Sequence, residues 1–344
     1  MLTYFVLQRL LLLVPTFIGV TFIAFFIIHL TPGDPAELRA GGGLGAAGAE
    51  GLSTERQSAM DQALAAWRRQ YGLDQPLHVQ YWRWLQNLFT LEFGESFKDN
   101  QPVWRKIAER LPVTIQLNAI SIVLTYAIAI PLGVYSATHP YSLGDQITTF
   151  GAFMLFSLPS FWVGTLAIVF LCGGDFFYVF PPGGLTSIDY SPHWPFWQRF
   201  LDRLWHLCLP VSMLSYTSFA VLSRFMRSSM LENIRQDFVQ TARAKGLSER
   251  LVIYKHVLRN SLIPIVTIMA SILPGLIGGS IIIETIFSIP GLGQLGYEAV
   301  LARDYPIIMA VFTMSSLLTL VSILLSDILL TVVDPRITFS GRSA

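Results

Sequence analysis

Six stretches of this chain, residues 10–30, 113–137, 146–171, 204–223, 262–287 and 307–333, are long, apolar and almost free of charge. About 20 helical residues at ~1.5 Å each cross a hydrocarbon core of ~30 Å, so a run of that length predicts a spanning helix. The expected fold is an all-α polytopic membrane protein with six transmembrane helices. Composition agrees, since only 13% of residues are charged against ~25% in an ordinary soluble domain. Pro15, Pro131, Pro159, Pro210 and Pro274 interrupt the runs. A helix bundle in lipid tolerates such prolines, and they are expected to kink helices rather than end them. The first run follows Arg9 and invites comparison with a signal peptide. Its 21 residues exceed the ~7–15 of a signal h-region, and Thr31-Pro-Gly-Asp-Pro35 offers no small-x-small cleavage site. It reads as a retained span.

Orientation follows from the loops. Residues 224–260 hold eight basic side chains (Arg224, Arg227, Arg235, Arg243, Lys245, Arg250, Lys255, Arg259) against three acids (Glu232, Asp237, Glu249). Such an excess marks a short loop as cytoplasmic. Six spans then put both termini in the cytoplasm, in agreement with Arg9, Arg336 and Arg342. The loop 138–145 has no Lys or Arg and lends no support. Residues 31–112, with nine basic and ten acidic residues, are expected outside as a small helical subdomain lying against the membrane. Its Gly/Ala-rich stretch 40–53 reads as flexible. From Thr54 the pattern turns helical, with Ala63, Trp67 and Tyr71 at spacing four and Gly72 as a C-cap. Trp82, Leu85 and Phe89 suggest a second apolar stripe. The aromatic loop 173–203 suits anchoring at the membrane interface better than a lectin-like or base-stacking role. A formal net charge of +1 shows no global basic excess, so nucleic acid is not an expected partner.

The segment 224–260 is the informative one. Leu231, Ile234, Phe238 and Ala242 recur at spacings of three and four, giving one apolar stripe. Gly246 follows the last periodic residue and can close a helix in the left-handed conformation. Ser248 can cap the next helix, and Glu249 complements its N-terminal dipole. The expectation is helix, glycine turn, helix, with a stripe that needs either a protein partner or the membrane surface. A basic amphipathic loop resting on anionic headgroups would satisfy the same pattern.

Gln240-Thr-Ala-Arg-Ala-Lys-Gly246 and His256-Val-Leu-Arg-Asn-Ser-Leu-Ile-Pro264 resemble the coupling (EAA) loop of permease subunits of ABC importers, and more narrowly that of oligopeptide and dipeptide permeases. The resemblance extends to Leu-Thr-Pro-Gly-Asp-Pro35, Arg-Ser-Ser-Met-Leu231, Glu284-Thr-Ile-Phe-Ser-Ile-Pro-Gly-Leu-Gly293, Arg303-Asp-Tyr-Pro306 and Val-Asp-Pro-Arg336, in order along most of the chain. Tyr297 and the closing Val-Asp-Pro-Arg-Ile-Thr-Phe look most similar to the branch with a longer external insert, which includes microcin C importers. Gln240 and Thr241 replace the first two letters of Glu-Ala-Ala, and Arg259 stands at the general pattern's proline, departures that peptide-type permeases share.

The resemblance implies a type-1 ABC importer permease fold in a bacterial cytoplasmic membrane, with residues 1–30 as N-terminus and first span, 31–112 external, 113–334 the permease domain and 335–344 a cytoplasmic tail. It implies a homologous second permease, two ATP-binding subunits and an extracytoplasmic solute-binding protein as partners, with the lipid bilayer as solvent. Phe238, Thr241, Ala242, Arg243, Ala244, Lys245, Gly246, His256, Arg259 and Asn260 would couple to the ATPase. The short helix Ala242 to Gly246 would enter a groove on it, the small Ala242 allowing close approach. Glu284, Pro290, Gly291, Gly293 and Asp304 would belong to the pathway or to an external gate meeting the binding protein. Peptides are the expected substrate, with nickel or glutathione as alternatives.

Glu284 and Asp327 are the acids inside the spans; such groups are costly at mid-bilayer, but both lie toward span ends. Glu284 is either a pathway residue or a helix-end contact shaping the next turn. Pro290-Gly291 suits a type II turn with Gly supplying a positive φ. Cys172 and Cys208 flank one outer loop and are either apolar fillers or a disulfide. No catalytic, metal or cofactor constellation is evident: H-E-x-x-H is absent, the six histidines are scattered, and Gly278-Gly-Ser280 lacks the context of a nucleophile elbow. G-x-x-x-x-G-K-[ST] is also absent, so hydrolysis of ATP is expected on another subunit. A stand-alone secondary transporter or channel would call for internal repeats and mid-membrane ionisable residues, and neither is found. A membrane-anchored scaffold leaves the structured loop unexplained.

Overall fold

The computed structural model describes residues 2–30, 54–173, 176–272 and 280–333, and among them there are helices and no strand, only one isolated bridge between Glu95 and Pro102. Thr31 to Pro35, the 40–53 stretch, Pro274, most of Gly278-Gly-Ser280, Asp334-Pro-Arg336 and the 335–344 tail lie outside the described residues. The helices are α1 (Leu2–Leu30), α2 (Thr54–Gln70), α3 (Leu77–Phe89), α4 (Val103–Thr138), α5 (Leu143–Ser157), α6 (Ser160–Leu171), α7 (Phe196–Ile234) and α8 (Asp237–Ala244). One turn of α9 (Glu249–Leu251) leads through a π-wound stretch, Val252–Val257, into α10 (Leu258–Ile272), followed by α11 (Ile281–Ile286), α12 (Leu292–Ala302) and α13 (Tyr305–Val333).

Among the described residues five helices are long and apolar enough to span a membrane, and six spans result if α5 and α6 together make one. That pair corrects the expectation for residues 146–171. The chain bends by 96° between α5 and α6, because Pro159 caps α6, and the residue before a proline is driven out of the helical region. Leu158 accordingly sits at φ −90°, ψ 126°. Pro15, Pro131 and Pro210 do lie inside helices, as anticipated. Helices α4 and α7 run far past their apolar runs, so α4 passes residue 112 without a break and α7 carries the chain from residue 196 deep into the basic segment.

The bundle is built around α4 and α7, which make the most extensive helix pair. Small residues allow their close approach: a Cβ on Gly133 would fall 2.5 Å from Met226 Cβ, and the hydroxyls of Ser121 and Ser215 meet at 3.0 Å. A polar contact between spans contributes only ~0.6 kcal/mol on average, so packing does most of the holding. Helix α1 is peripheral, packing on α13 and α3. Its Arg9 meets Asp327 of α13 at 3.2 Å, giving the second intramembrane acid a cation from the far end of the sequence.

The segment 54–102 keeps its predicted glycine stop. Gly72 lies at φ +68°, with Leu73 N–H on the Arg68 carbonyl and Gly72 N–H on that of Arg69, the paired bonds of a Schellman cap. The stripe on α3 is different from the expected one. Trp82 and Phe89 are 61% and 80% exposed, while Tyr81 and Leu85 are buried. Tyr81 wins the inward position because its ring packs on Phe22 and Phe25 while its hydroxyl donates to the Ile18 carbonyl at 3.2 Å. The apolar body and polar tip of a tyrosine are both satisfied there. In the aromatic loop many rings are exposed, and Cys172 and Cys208 are free thiols, one buried and one exposed.

Candidate functional site

The basic segment folds as helix, glycine turn, helix. Helix α8 ends at a Schellman cap in which Gly246, at φ +78°, donates to the Arg243 carbonyl at 2.9 Å and Leu247 to that of Ala242 at 3.4 Å. The left-handed backbone explains a glycine at 246 without reference to any neighbour, since a Cβ there would meet nothing within 4 Å. Ser248 occupies the next N-cap position but makes no side-chain cap bond. Glu249 instead grips Arg243 with two bonds of 3.1 and 2.5 Å. Both side chains are largely exposed, so this clamp orients the turn more than it stabilises it; exposed pairs contribute ~0–1 kcal/mol.

The apolar stripe is divided. Leu231 and Ile234 belong to α7, Phe238 and Ala242 to α8, and the break at Arg235-Gln236 lets both halves face one core. That core joins Val239 and Ala242 to Met226 and Met230 of α7, Val134 and Ala137 of α4, and Val252, Ile253 and Val257 of the π-wound stretch. The protein therefore covers much of the stripe itself: Ala242 is buried, and Leu231, Ile234 and Phe238 are half-buried against this core. Ala242 is buried and faces inward, so its small size serves the chain's own packing rather than approach to a groove elsewhere. Thr241, Arg243, Ala244, Lys245 and Gly246 form the exposed edge of α8 and its turn; Arg259 is also exposed, while Phe238, His256 and Asn260 are half-buried. Ser229 and Ser261 each donate to the other's backbone carbonyl, at 3.1 and 3.3 Å, locking α7 to α10 just behind this edge.

The adjoining α4–α5 turn looks uninformative in sequence, lacking any basic residue. In space α7 supplies the charge: Arg227 holds the buried Asp145 carboxylate through bonds of 2.8 and 2.7 Å. Asp145 also accepts from Tyr141 N–H at 2.9 Å. Nothing in the local sequence pairs residues this far apart.

The remaining candidates gather at the opposite end of the bundle, around α12. Glu284 is fully buried. Its carboxylate accepts from the Thr114 hydroxyl at 3.1 Å and from Gln294 N–H, in the first turn of α12, at 2.8 Å. Thr114 in turn accepts from Leu292 N–H at 2.8 Å. A carboxylate at a helix N-terminus satisfies donors that the helix cannot, so Glu284 joins α11, α4 and α12. This favours the helix-end reading over a free pathway charge. The type II turn is not formed: Gly291 has φ −103°, and the positive φ of the segment falls on Ser288. Glycine is needed at 291 and 293 for room, since a Cβ would stand 2.4 and 2.9 Å from Glu284 side-chain atoms. Pro290 is half-buried beside them.

Asp304 lies just beyond the other end of α12 and is also buried. It accepts from the Ser96 hydroxyl and from Phe97 N–H at 3.0 Å, pinning the 93–100 loop to the α12–α13 junction. Sequence reasoning missed Thr114, Ser96 and Asp145, and read Arg227 only as a basic side chain and part of a motif, without its partner. Among the described residues no group of three His, Cys, Asp or Glu side chains is placed to hold a metal ion.

Comparison with known proteins gives a consistent result. A family model described as "Binding-protein-dependent transport system inner membrane component" matches residues 129–339, and the N-terminal model of the same kind of component matches residues 1–118. The oligopeptide transport system permease protein AppB of Bacillus subtilis is 38% identical, over 97% of this chain and 99% of its own length. The dipeptide transport system permease protein DppB of Escherichia coli is 36% identical over 97% and 98%. The peptidoglycan transport system permease protein YejB of Agrobacterium fabrum is 37% identical over 98% and 99%. Among solved structures, the inward-facing MetNI methionine ABC transporter aligns with a TM-score of 0.51 at 16% identity, covering 68% of this chain and 99% of the matched one. That likeness is one of fold.

Proposed function

The chain belongs to the family of binding-protein-dependent transport system inner membrane components, and on that premise we propose that it forms half of the translocation pathway of an ATP-driven importer for peptides. Peptide as the substrate class follows from the names its relatives carry. A solute-binding protein would deliver the peptide, a homologous permease would complete the pathway, and two ATP-binding subunits would supply the energy.

The observation that carries this reading is the build of α8. Its inner face is fixed by Val239 and Ala242 in the core shared with α4, α7 and the π-wound stretch, while its outer edge is left open. A push on that edge would pass to the spanning helices through this packed core. Rigid-body rocking of a bundle needs a stiff connector of this kind. The basic excess of residues 224–260 supports a cytoplasmic position for this edge, the side where ATP is available, and with six spans the same orientation would bring both termini there.

Two substitutions test the assignment. Gly246→Val places a β-branched residue in left-handed backbone and on the proposed contact; Ala244→Trp alters only the exposed edge. Both are expected to abolish uptake and co-purification of the ATPase, with Ala244→Trp leaving the melting temperature of the permease unchanged. Persistence of both activities in Ala244→Trp would overturn the coupling role. Purification of the importer with its binding protein, followed by mass spectrometry of the released ligand, tests the substrate: a peptide is expected, and a metal chelate or glutathione would refute it.

A further inference from the structure

The geometry points to a phospholipid site on the flank of the bundle between α5 and α7: an acyl-chain groove of about 360 Å³ that ends at a guanidinium, Arg224, fitted to an anionic headgroup. The groove is lined by Phe153 and Phe156 of α5 and by Val221 and Phe225 of α7, all exposed. Ser228, one turn beyond Arg224 toward the end of α7, closes it with an exposed hydroxyl. Its character therefore changes along its length. Rings and aliphatic groups line the part nearer the middle of the bundle, and the polar groups stand beside the Asp145–Arg227 pair that marks the end of the bundle.

The two arginines of this stretch are treated differently. Arg227 is neutralised by two bonds to Asp145. Arg224, three residues deeper, has among the described residues one hydrogen bond, to the Thr149 hydroxyl at 2.6 Å, and stands over the Phe153 ring at 5.6 Å from its centroid. A guanidinium has five N–H donors in a planar fork suited to phosphate oxygens. Holding one against an apolar surface without an anion is costly. A phosphodiester satisfies the fork while its acyl chain fills the groove, as basic pockets between spanning helices on the cytoplasmic side do for anionic headgroups. The choice of leaflet rests on the orientation proposed above; occupancy of the site does not depend on it.

The test uses the complete importer, purified in mild detergent and examined by native mass spectrometry with added phosphatidylglycerol, for the wild type and for Arg224→Gln and Ser228→Ala. The wild type is expected to retain phosphatidylglycerol in preference to phosphatidylcholine. Arg224→Gln should lower retention about tenfold, as expected for losing one charge-assisted contact, with an unchanged melting temperature in lipid-free detergent. Ser228→Ala should lower retention less. Equal retention by wild type and Arg224→Gln would overturn the site. Displacement of the lipid by millimolar inorganic phosphate would reduce it to a plain anion site and overturn the phospholipid assignment. Cross-linking of a cysteine at Val221 to the homologous permease, without lipid retention, would assign the groove to a protein partner instead. Because retention is read without reference to membrane side, an error in orientation would leave this result standing.

Discussion

The Glu284 carboxylate occupies the space that a side chain at Gly291 would need: a Cβ built there falls 2.4 Å from the carboxylate carbon. The backbone at Gly291 is one that any residue adopts, with φ −103°, so the constraint is contact alone. Gly291→Ala is expected to destabilise the protein by about 1–3 kcal/mol, the usual range for forcing atoms into a packed site. Removing the obstacle should relieve it. In thermal unfolding in detergent, Gly291→Ala combined with Glu284→Ala should be less destabilised than the sum of the single changes. Strict additivity would show that the two residues do not share this space.

Gly246→Ala makes the complementary case. At φ +78° with open surroundings, alanine there pays only for left-handed backbone, about 1–2 kcal/mol. No second-site truncation should rescue it. A melting temperature equal to the wild type's would show that the turn can reclose in another conformation.

Asp304 predicts a change in protease sensitivity. Its carboxylate holds the Ser96 hydroxyl and Phe97 N–H, and Asp304→Ala strips those buried donors of their acceptor at a cost of about 1–3 kcal/mol. The 93–100 loop should open more often, and trypsin should cut after Lys98 about tenfold faster, following the population of the open form. Lys245, exposed at the other end of the bundle, provides the internal control. Equal acceleration at both sites would indicate general loosening of the fold.

Much of this organisation is legible in the sequence because it is local. Apolar run length marks the spanning segments, though not the 96° bend between α5 and α6, and the Gly72 and Gly246 stops follow from a pattern that ends at the only residue comfortable in left-handed backbone. What the sequence hides is local pattern reused by tertiary contact. The Leu231 to Ala242 stripe has helical spacing throughout, yet a two-residue break folds it onto a core supplied by α4 and the π-wound stretch. On α3 the periodicity allows either Trp82 or Tyr81 to face inward, and the Ile18 carbonyl decides. Gly291 looks like a turn glycine, and its real neighbour is a carboxylate seven positions earlier whose direction is set by Thr114 from another helix. The site residues that sequence reasoning missed are all partners of this long-range kind.

The Asp145–Arg227 pair joins the α4–α5 turn to the helix that leads into α8. Both side chains are largely buried, with 5% and 19% exposure, so removing one partner leaves an uncompensated charge. Arg227→Ala is expected to cost about 3–5 kcal/mol. Replacing both partners by neutral isosteres, Asp145→Asn with Arg227→Gln, should cost less than Arg227→Ala alone. A double-mutant cycle on unfolding in detergent checks this; an additive cycle would make the pair energetically irrelevant.

At the opposite end, Asp99 gives a pH signature. Burial on its own would raise the Asp99 carboxyl, but the Lys106 ammonium at 2.6 Å and the Gln101 amide outweigh it and hold the group below its ordinary value. A carboxylate with a depressed native pKa adds stability that is fully present above its unfolded value of ~3.9 and is lost as pH falls through the native value. The side chain is 37% exposed, so solvent screening keeps the contribution below about 1 kcal/mol. Other carboxylates titrate in the same range, which makes the difference between wild type and Asp99→Asn the informative quantity. That difference in melting temperature should favour the wild type at neutral pH and shrink toward zero as pH drops below the ordinary carboxylate range. A difference that stays constant with pH would show that the Lys106–Asp99 contact does not depend on charge.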